Sequence, residues 1–167
     1  QPVKLRDFRV FRVLGRGAFG AVGQAACEIT VLMSCLSRLQ VSAVQKIDTH
    51  AIFAMKEMNK RQVKAQQSEW MVNNEKRVLA KLRSPFVLSL KYAFHTDESL
   101  YLIMDMCSGG DLKYHLRNQP PNARGERCFS NERARFYAAE VLLGLEHIHA
   151  FDIVYRDLKP NNILLDT

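Results

Sequence analysis

One stretch near the C-terminal end constrains this chain more than any other: Tyr155-Arg156-Asp157-Leu158-Lys159-Pro160-Asn161-Asn162, followed by the apolar Ile163-Leu164-Leu165. It offers a carboxylate able to accept a hydroxyl proton, an ammonium suited to a phosphate and an amide oxygen suited to a hard metal ion. A charged turn leading into a hydrophobic strand would account for the composition, but it would leave the spacing of Asp157, Lys159 and Asn162 to accident. Few folds need these groups in this order.

The rest of the composition permits a folded protein of one domain or two small lobes: 167 residues, 47% hydrophobic and 25% charged. The net charge of +7 is spread over scattered Lys and Arg residues without a basic tract, so it reads as a solvated surface and no nucleic-acid partner is expected. Cys27, Cys35, Cys107 and Cys128 show no metal-ligand spacing, and the polar opening from Gln1 to Arg12 is no signal peptide. Reduced thiols in a cytoplasmic setting are the expectation. The apolar run from Ile29 to Met33, broken only by Thr30, is far too short to span a bilayer.

Along the chain, Phe8 to Leu14 alternates apolar and basic residues, the pattern of a half-buried strand, and runs into Gly15-Arg16-Gly17-Ala18-Phe19-Gly20. Such a glycine turn also opens dinucleotide-binding folds, where a helix must follow it. Here a second strand, Ala51 to Lys56, comes next in the pattern and places Ala54 and Lys56 on one face. A helix is predicted over Ser68 to Leu82, with an apolar stripe of Met71, Val78, Leu79 and Leu82. Glu75 falls on that stripe, and a carboxylate on a packed face needs a cation, for which Lys56 is the candidate. Leu88 to His95 and Ser99 to Asp105 read as a hairpin around Thr96-Asp97-Glu98. Met106 to Gly110 reads as a flexible break, a short helix begins near Asp111, and Asn118 to Arg127 is a polar loop. The last helix spans about Asn131 to Ala150, with Ser130 as N-cap and a stripe of Ala134, Ala138, Val141, Leu145 and Ile148.

From the glycine turn to Leu165 the chain resembles a protein kinase domain. Tyr155-Arg156-Asp157, Gly109-Gly110-Asp111-Leu112 and Phe136-Tyr137-Ala138-Ala139-Glu140 are most similar to the cyclic-nucleotide-dependent and related serine/threonine group. Gly144-Leu145-Glu146-His147-Ile148-His149 and Tyr114-His115-Leu116 resemble G-protein-coupled receptor kinases. The resemblance implies an α+β, bilobal kinase-like fold over 8–167: a β-rich N-lobe over 8–104, then the hinge and a helical C-lobe, truncated after the catalytic loop, over 105–167.

It also implies ATP and Mg²⁺ as cofactors and a protein Ser/Thr hydroxyl as acceptor. Leu14, Gly15, Arg16, Gly17, Ala18, Phe19, Gly20, Ala21, Val22 and Val41 would cover the nucleotide, glycine allowing backbone N–H groups close to the phosphates. Ala54 and Met104 would line the adenine pocket, Asp105 to Cys107 would form the hinge, and Asp111 would meet the ribose. Lys56 would hold the α- and β-phosphates and Glu75 would hold Lys56. Asp157 would accept the substrate proton, Lys159 would steady the γ-phosphate and Asn162 would bind one Mg²⁺. A link to a membrane or receptor is compatible with the branch resembled, though no residue specifies it.

Two departures stand out. The family pattern puts the strand lysine about fifteen residues after a Val near the third glycine, whereas Val22 and Lys56 are thirty-four apart. Joining Ala21 directly to Val41 restores the pattern, so residues 22 to 40 form an insertion of 19 residues, or 57 nucleotides. Val codons begin GT and one Gln codon ends in AG, so Val22 and Gln40 are compatible with the ends of an unremoved intron; a surface insertion in the second strand is the other origin. The second departure is that the 167 residues contain no Asp-Phe-Gly motif, whose Asp is a principal Mg²⁺ ligand. The chain reads as a piece cut at both ends, with negligible phosphoryl transfer and marginal stability expected of it alone. A non-catalytic, pseudokinase-like nucleotide-binding or scaffold module is the alternative. A dinucleotide oxidoreductase fails because a strand, not a helix, follows the glycines.

Overall fold

The computed structural model describes residues 2–15, 29–31 and 40–166. The chain divides into two compact units, the first made of Gln1–Ala18, Ser34–Arg83 and Leu88–Met106, the second of Phe19–Met33, Ser84–Val87 and Cys107–Thr167.

The first unit is built on five antiparallel strands. β1 (Phe8–Gly15), β3 (Gln40–Lys46), β4 (Ile52–Asn59), β5 (Leu90–His95) and β6 (Ser99–Asp105) lie in the order β1-β3-β4-β6-β5, and β2 (Ile29–Val31) belongs to the other unit. The β1–β3 ladder shifts register between Val10 and Arg12 and again between Val13 and Gly15, irregularities that bend and re-aim a strand. The β5–β6 hairpin closes as expected around Thr96, whose N–H donates to the Ser99 carbonyl while its hydroxyl accepts from the Ser99 N–H.

Both faces of this sheet are covered, which explains why β4 is buried at Ala54, Met55, Lys56 and Met58 rather than at alternate residues. Phe8, Val44, Met55, Tyr101 and Ile103 form one core, against which Phe53, Tyr92 and Phe94 pack. Opposite them, Met58, Leu102, Val63 and Val72 form the other. Val63 comes from a short helix, α1 (Lys60–Ala65), that the sequence reading did not separate; Asn59 caps it, its Oδ1 accepting from the N–H groups of Arg61 and Gln62. α2 (Glu69–Lys81) follows, and its buried residues Val72, Glu75, Val78 and Leu79 keep the phase that placed Glu75 on the packed face.

The second unit holds α3 (Leu112–Arg117), α4 (Asn131–His149), a 3₁₀ turn at Pro160–Asn162, and β7 (Ile163–Leu165), which pairs antiparallel with β2. Ser130 caps α4, its hydroxyl accepting from the Arg133 N–H at 3.3 Å. The buried face of α4 is Tyr137, Glu140, Gly144 and Ile148. This corrects the predicted stripe: Ala134 and Ala138 are exposed and only Ile148 of that set is fully buried. Two alanines have little area to gain by burial, so the helix turns Tyr137 inward instead, onto Phe129, Leu112, Ile163 and Leu165.

Gly109 and Gly110 are no flexible break. The Gly109 N–H donates to the Leu165 carbonyl and the Leu165 N–H to the Gly110 carbonyl, both at 2.8 Å. A Cβ on Gly109 would stand 2.6 Å from the Leu165 backbone oxygen. Replacing Gly109 by Ala is therefore expected to cost about 1–3 kcal/mol, read as a lower denaturant midpoint at unchanged slope.

Candidate active site

Each unit carries part of the chemistry anticipated from the sequence. In the first, the β4 ladder sets Lys56 opposite Val41 on one side and Leu102 on the other, and Ala54 opposite Ala43 and Met104. The Lys56 ammonium reaches across to α2 and donates to Glu75 Oε1 at 2.6 Å, with both side chains buried. Glu75 Oε2 is also buried and has no hydrogen-bond partner. The ammonium carries three N–H groups, of which this bond uses one. Desolvating such a pair is costly and Coulomb attraction returns only part of the cost, so its retention in the core points to a role other than stability.

At the end of β6, Asp105 forms an ion pair with Lys91 at 3.0 Å and its N–H is spent on the Ser89 carbonyl. The unit ends at Met106, and Cys107, which is buried, opens the next. Asp111, expected at the ribose, serves as N-cap of α3: its Oδ1 accepts from the Tyr114 N–H at 2.7 Å. His115, one turn into that helix, meets the Gly109 carbonyl through Nε2 at 2.6 Å. Leu14 and Gly15 enter only through their backbone, Gly15 pairing with Val41; the expected nucleotide contacts Arg16, Gly17, Ala18, Phe19, Gly20, Ala21 and Val22 lie outside the described residues.

In the second unit the loop before β7 draws Asp157, Lys159 and Asn162 into one cluster. Arg156 sits at φ 64°, the left-handed region that non-glycine residues rarely enter. That turn and the Asp157 N–H bond to the Tyr155 carbonyl hold the carboxylate next to its partners. Lys159 Nζ donates to both carboxylate oxygens at 2.8 Å. Asn162, buried at the end of the 3₁₀ turn, donates through Nδ2 to Asp157 Oδ2 at 2.8 Å and to the Asp157 carbonyl at 2.9 Å. With the nitrogen so committed, the carboxamide oxygen faces away from Asp157.

These donors hold the Asp157 carboxyl below the usual carboxylate range, the Lys159 hydrogen bond being the largest cause. Tyr155 is buried beneath it, and burial together with the Asp157 charge pushes its phenol well above the ordinary value. It remains a neutral hydroxyl at any working pH. For Asp157 the sign is the reverse: its favourable contribution is complete above the ordinary Asp range and is lost as pH falls below about 4. Lys159→Ala is expected to move the Asp157 titration upward, toward 3.8, in an NMR titration of the side-chain carboxyl; an unmoved titration would separate the two groups.

Sequence reasoning overlooked the strained Arg156 backbone, the close approach at Gly109 and the burial of Tyr155. The doubled glycine was the visible signal for the second; the other two depend on conformation and burial. Among the described residues no three His, Cys, Asp or Glu side chains cluster as a metal site.

The sequence model of the protein kinase domain family matches residues 37–167. The chain belongs to the protein kinase family. The kinase chain is similar over 99% of its length to G protein-coupled receptor kinase 2 of Drosophila melanogaster, with 43% identity, and to G protein-coupled receptor kinase 1 of Caenorhabditis briggsae, with 44%. G protein-coupled receptor kinase 4 of Rattus norvegicus is 42% identical over the same share. The chain spans 20%, 22% and 25% of the lengths of these three relatives. The α+β fold expected of a partial kinase domain is the one observed.

Proposed function

We propose that this chain is part of a serine/threonine protein kinase that transfers the γ-phosphoryl group of Mg·ATP to a protein hydroxyl. The observation that carries the reading is the buried Lys56–Glu75 pair, in which the ammonium has one N–H on Glu75 and others to offer an anion. A phosphate accepting those N–H groups completes the hydrogen bonding of an otherwise underused buried cation. Asp157, charged at neutral pH, orients the acceptor hydroxyl and takes its proton as the oxygen attacks phosphorus. Its lowered pKa favours positioning over strong basicity, in keeping with a transfer that depends on alignment and charge neutralisation.

The residues fit a nucleotide-bound Mg²⁺ in kind: the Asn162 carboxamide oxygen, left free of Asp157 by the bonds its nitrogen makes, is a hard donor of the type such an ion takes. Bound there, the ion would neutralise phosphate charge. Lys159, now resting on Asp157, has a flexible stem that lets it exchange that carboxylate for a phosphate oxygen; the Ser/Thr acceptor rests on the resemblance of its position to that of serine/threonine kinases. No helix among the described residues is long and apolar enough to cross a membrane; a cytoplasmic setting and protein substrates shared with receptor kinases are part of the proposal.

Thermal melts with nucleotides test it. Mg·ATP is expected to raise the midpoint for the kinase chain, NAD is not, and Lys56→Met/Glu75→Gln should abolish the ATP shift. Equal protection by NAD and ATP would overturn the nucleotide reading.

A further inference from the structure

Two adjacent glycines give a backbone the greatest freedom it can have, yet Gly109 and Gly110 are both buried and Gly110 is held at φ 81°. Two backbone bonds tie the pair to Leu165, one from the Gly109 N–H and one to the Gly110 carbonyl. That leaves the Gly109 carbonyl, and a buried carbonyl without a donor is costly. His115 supplies the donor: its Nε2 lies 2.6 Å from the oxygen. A carbonyl can only accept, so Nε2 carries the proton.

His115 is fixed in its turn. Its N–H donates to the Asp111 carbonyl at 3.2 Å, Asp111 caps the same helix, and its ring stands edge-on to Tyr114 with 5.6 Å between centroids. Leu112, three residues earlier and so on the same side of α3, packs on Ile163 and Leu165. α3 therefore grips β7 twice, by Leu112 directly and by His115 through Gly109. β7 begins at the residue after Asn162, and Leu165 lies three residues beyond it, about 10 Å of extended chain. Whatever fixes Leu165 limits how far Asn162 can move.

We propose that His115 is a positioning residue: by holding the Gly109 carbonyl it locks residues 109–111 against β7, and through β7 it keeps the Asn162 carboxamide in place. The inference rests on the kinase reading above, in which the Asn162 oxygen is a metal donor. His115 takes no part in the chemistry itself and acts through the backbone links to Leu165. Outer hydrogen bonds that orient a metal-binding side chain work in the same way, and their loss weakens metal binding by about 10–100-fold.

NMR on the chain tests the pin without any ligand. His115→Ala should speed exchange of the Leu165 amide by about tenfold or more and shift the side-chain N–H signals of Asn162. His115→Gln, whose amide N–H can reach the same carbonyl, should restore both. Ile148→Val trims a fully buried side chain elsewhere in the unit; as a control for lost stability, it should leave the Asn162 signals where they are. In a kinase domain carrying these residues, His115→Ala should raise the Mg²⁺ concentration needed for half the maximal rate by about tenfold, and His115→Gln should return it. Unmoved Leu165 exchange and Asn162 signals in His115→Ala, equal movement in Ile148→Val, or failure of His115→Gln to restore them would overturn the pin. Moved signals with an unmoved Mg²⁺ requirement would instead overturn the metal role of Asn162, and with it the part of the proposal that concerns catalysis.

Discussion

Replacing Lys56 by Met is expected to destabilise the chain by about 3–5 kcal/mol, because it leaves the Glu75 carboxylate buried without a cation. Glu75 is 4% exposed and one of its oxygens lacks a partner even in the intact pair. Against a typical domain stability of about 5–15 kcal/mol, such a loss moves the denaturation midpoint far. The companion change separates structure from function. Lys56→Met/Glu75→Leu removes both charges and should recover most of the stability, since an apolar pair of similar volume avoids desolvation altogether. It should not recover ATP-dependent protection. A double mutant as unstable as Lys56→Met alone would mean that the pair contributes through packing and not through charge.

Asp157→Asn should reduce the turnover of a kinase domain carrying this chain by about 10²–10⁴-fold, with the melting midpoint nearly unchanged. The side chain is half exposed, at 50%, so its charge contributes little to stability. The amide is isosteric with the carboxylate but cannot take the hydroxyl proton. Because the proposed role of Asp157 is at the acceptor hydroxyl and not at the nucleotide, the KM for ATP should hold while kcat falls. Steady-state kinetics at several ATP concentrations distinguish this from a collapse of nucleotide binding, which would assign Asp157 a different role.

What could be read in the sequence followed from short-range patterns. The β5–β6 hairpin, the strand bearing Ala54 and Lys56, and the phase of α2 are set by alternation or helical spacing, and the phase alone put Glu75 on a packed face facing a cation. The face of α4 was misjudged because regular spacing of Ala134 and Ala138 looks like a stripe, whereas burial follows area and Tyr137 has more to bury. Asp111 shows a second role that its motif did not announce: its Oδ1 caps α3 by accepting from the Tyr114 N–H. The pairing of Ile29–Val31 with Ile163–Leu165 was beyond any local pattern, since it joins residues more than a hundred apart in the chain. The close crossing at Gly109 has the same origin, because the atom that excludes a Cβ belongs to Leu165.

Labelling from γ-phosphate-tagged Mg·ATP, followed by phosphoamino-acid analysis of a protein substrate, tests the central claim most directly when run on a kinase domain that carries these 167 residues. Phosphoserine or phosphothreonine that disappears with Asp157→Asn is the predicted result. Phosphotyrosine as the main product, or label that persists undiminished in the Asp157→Asn protein, would contradict it.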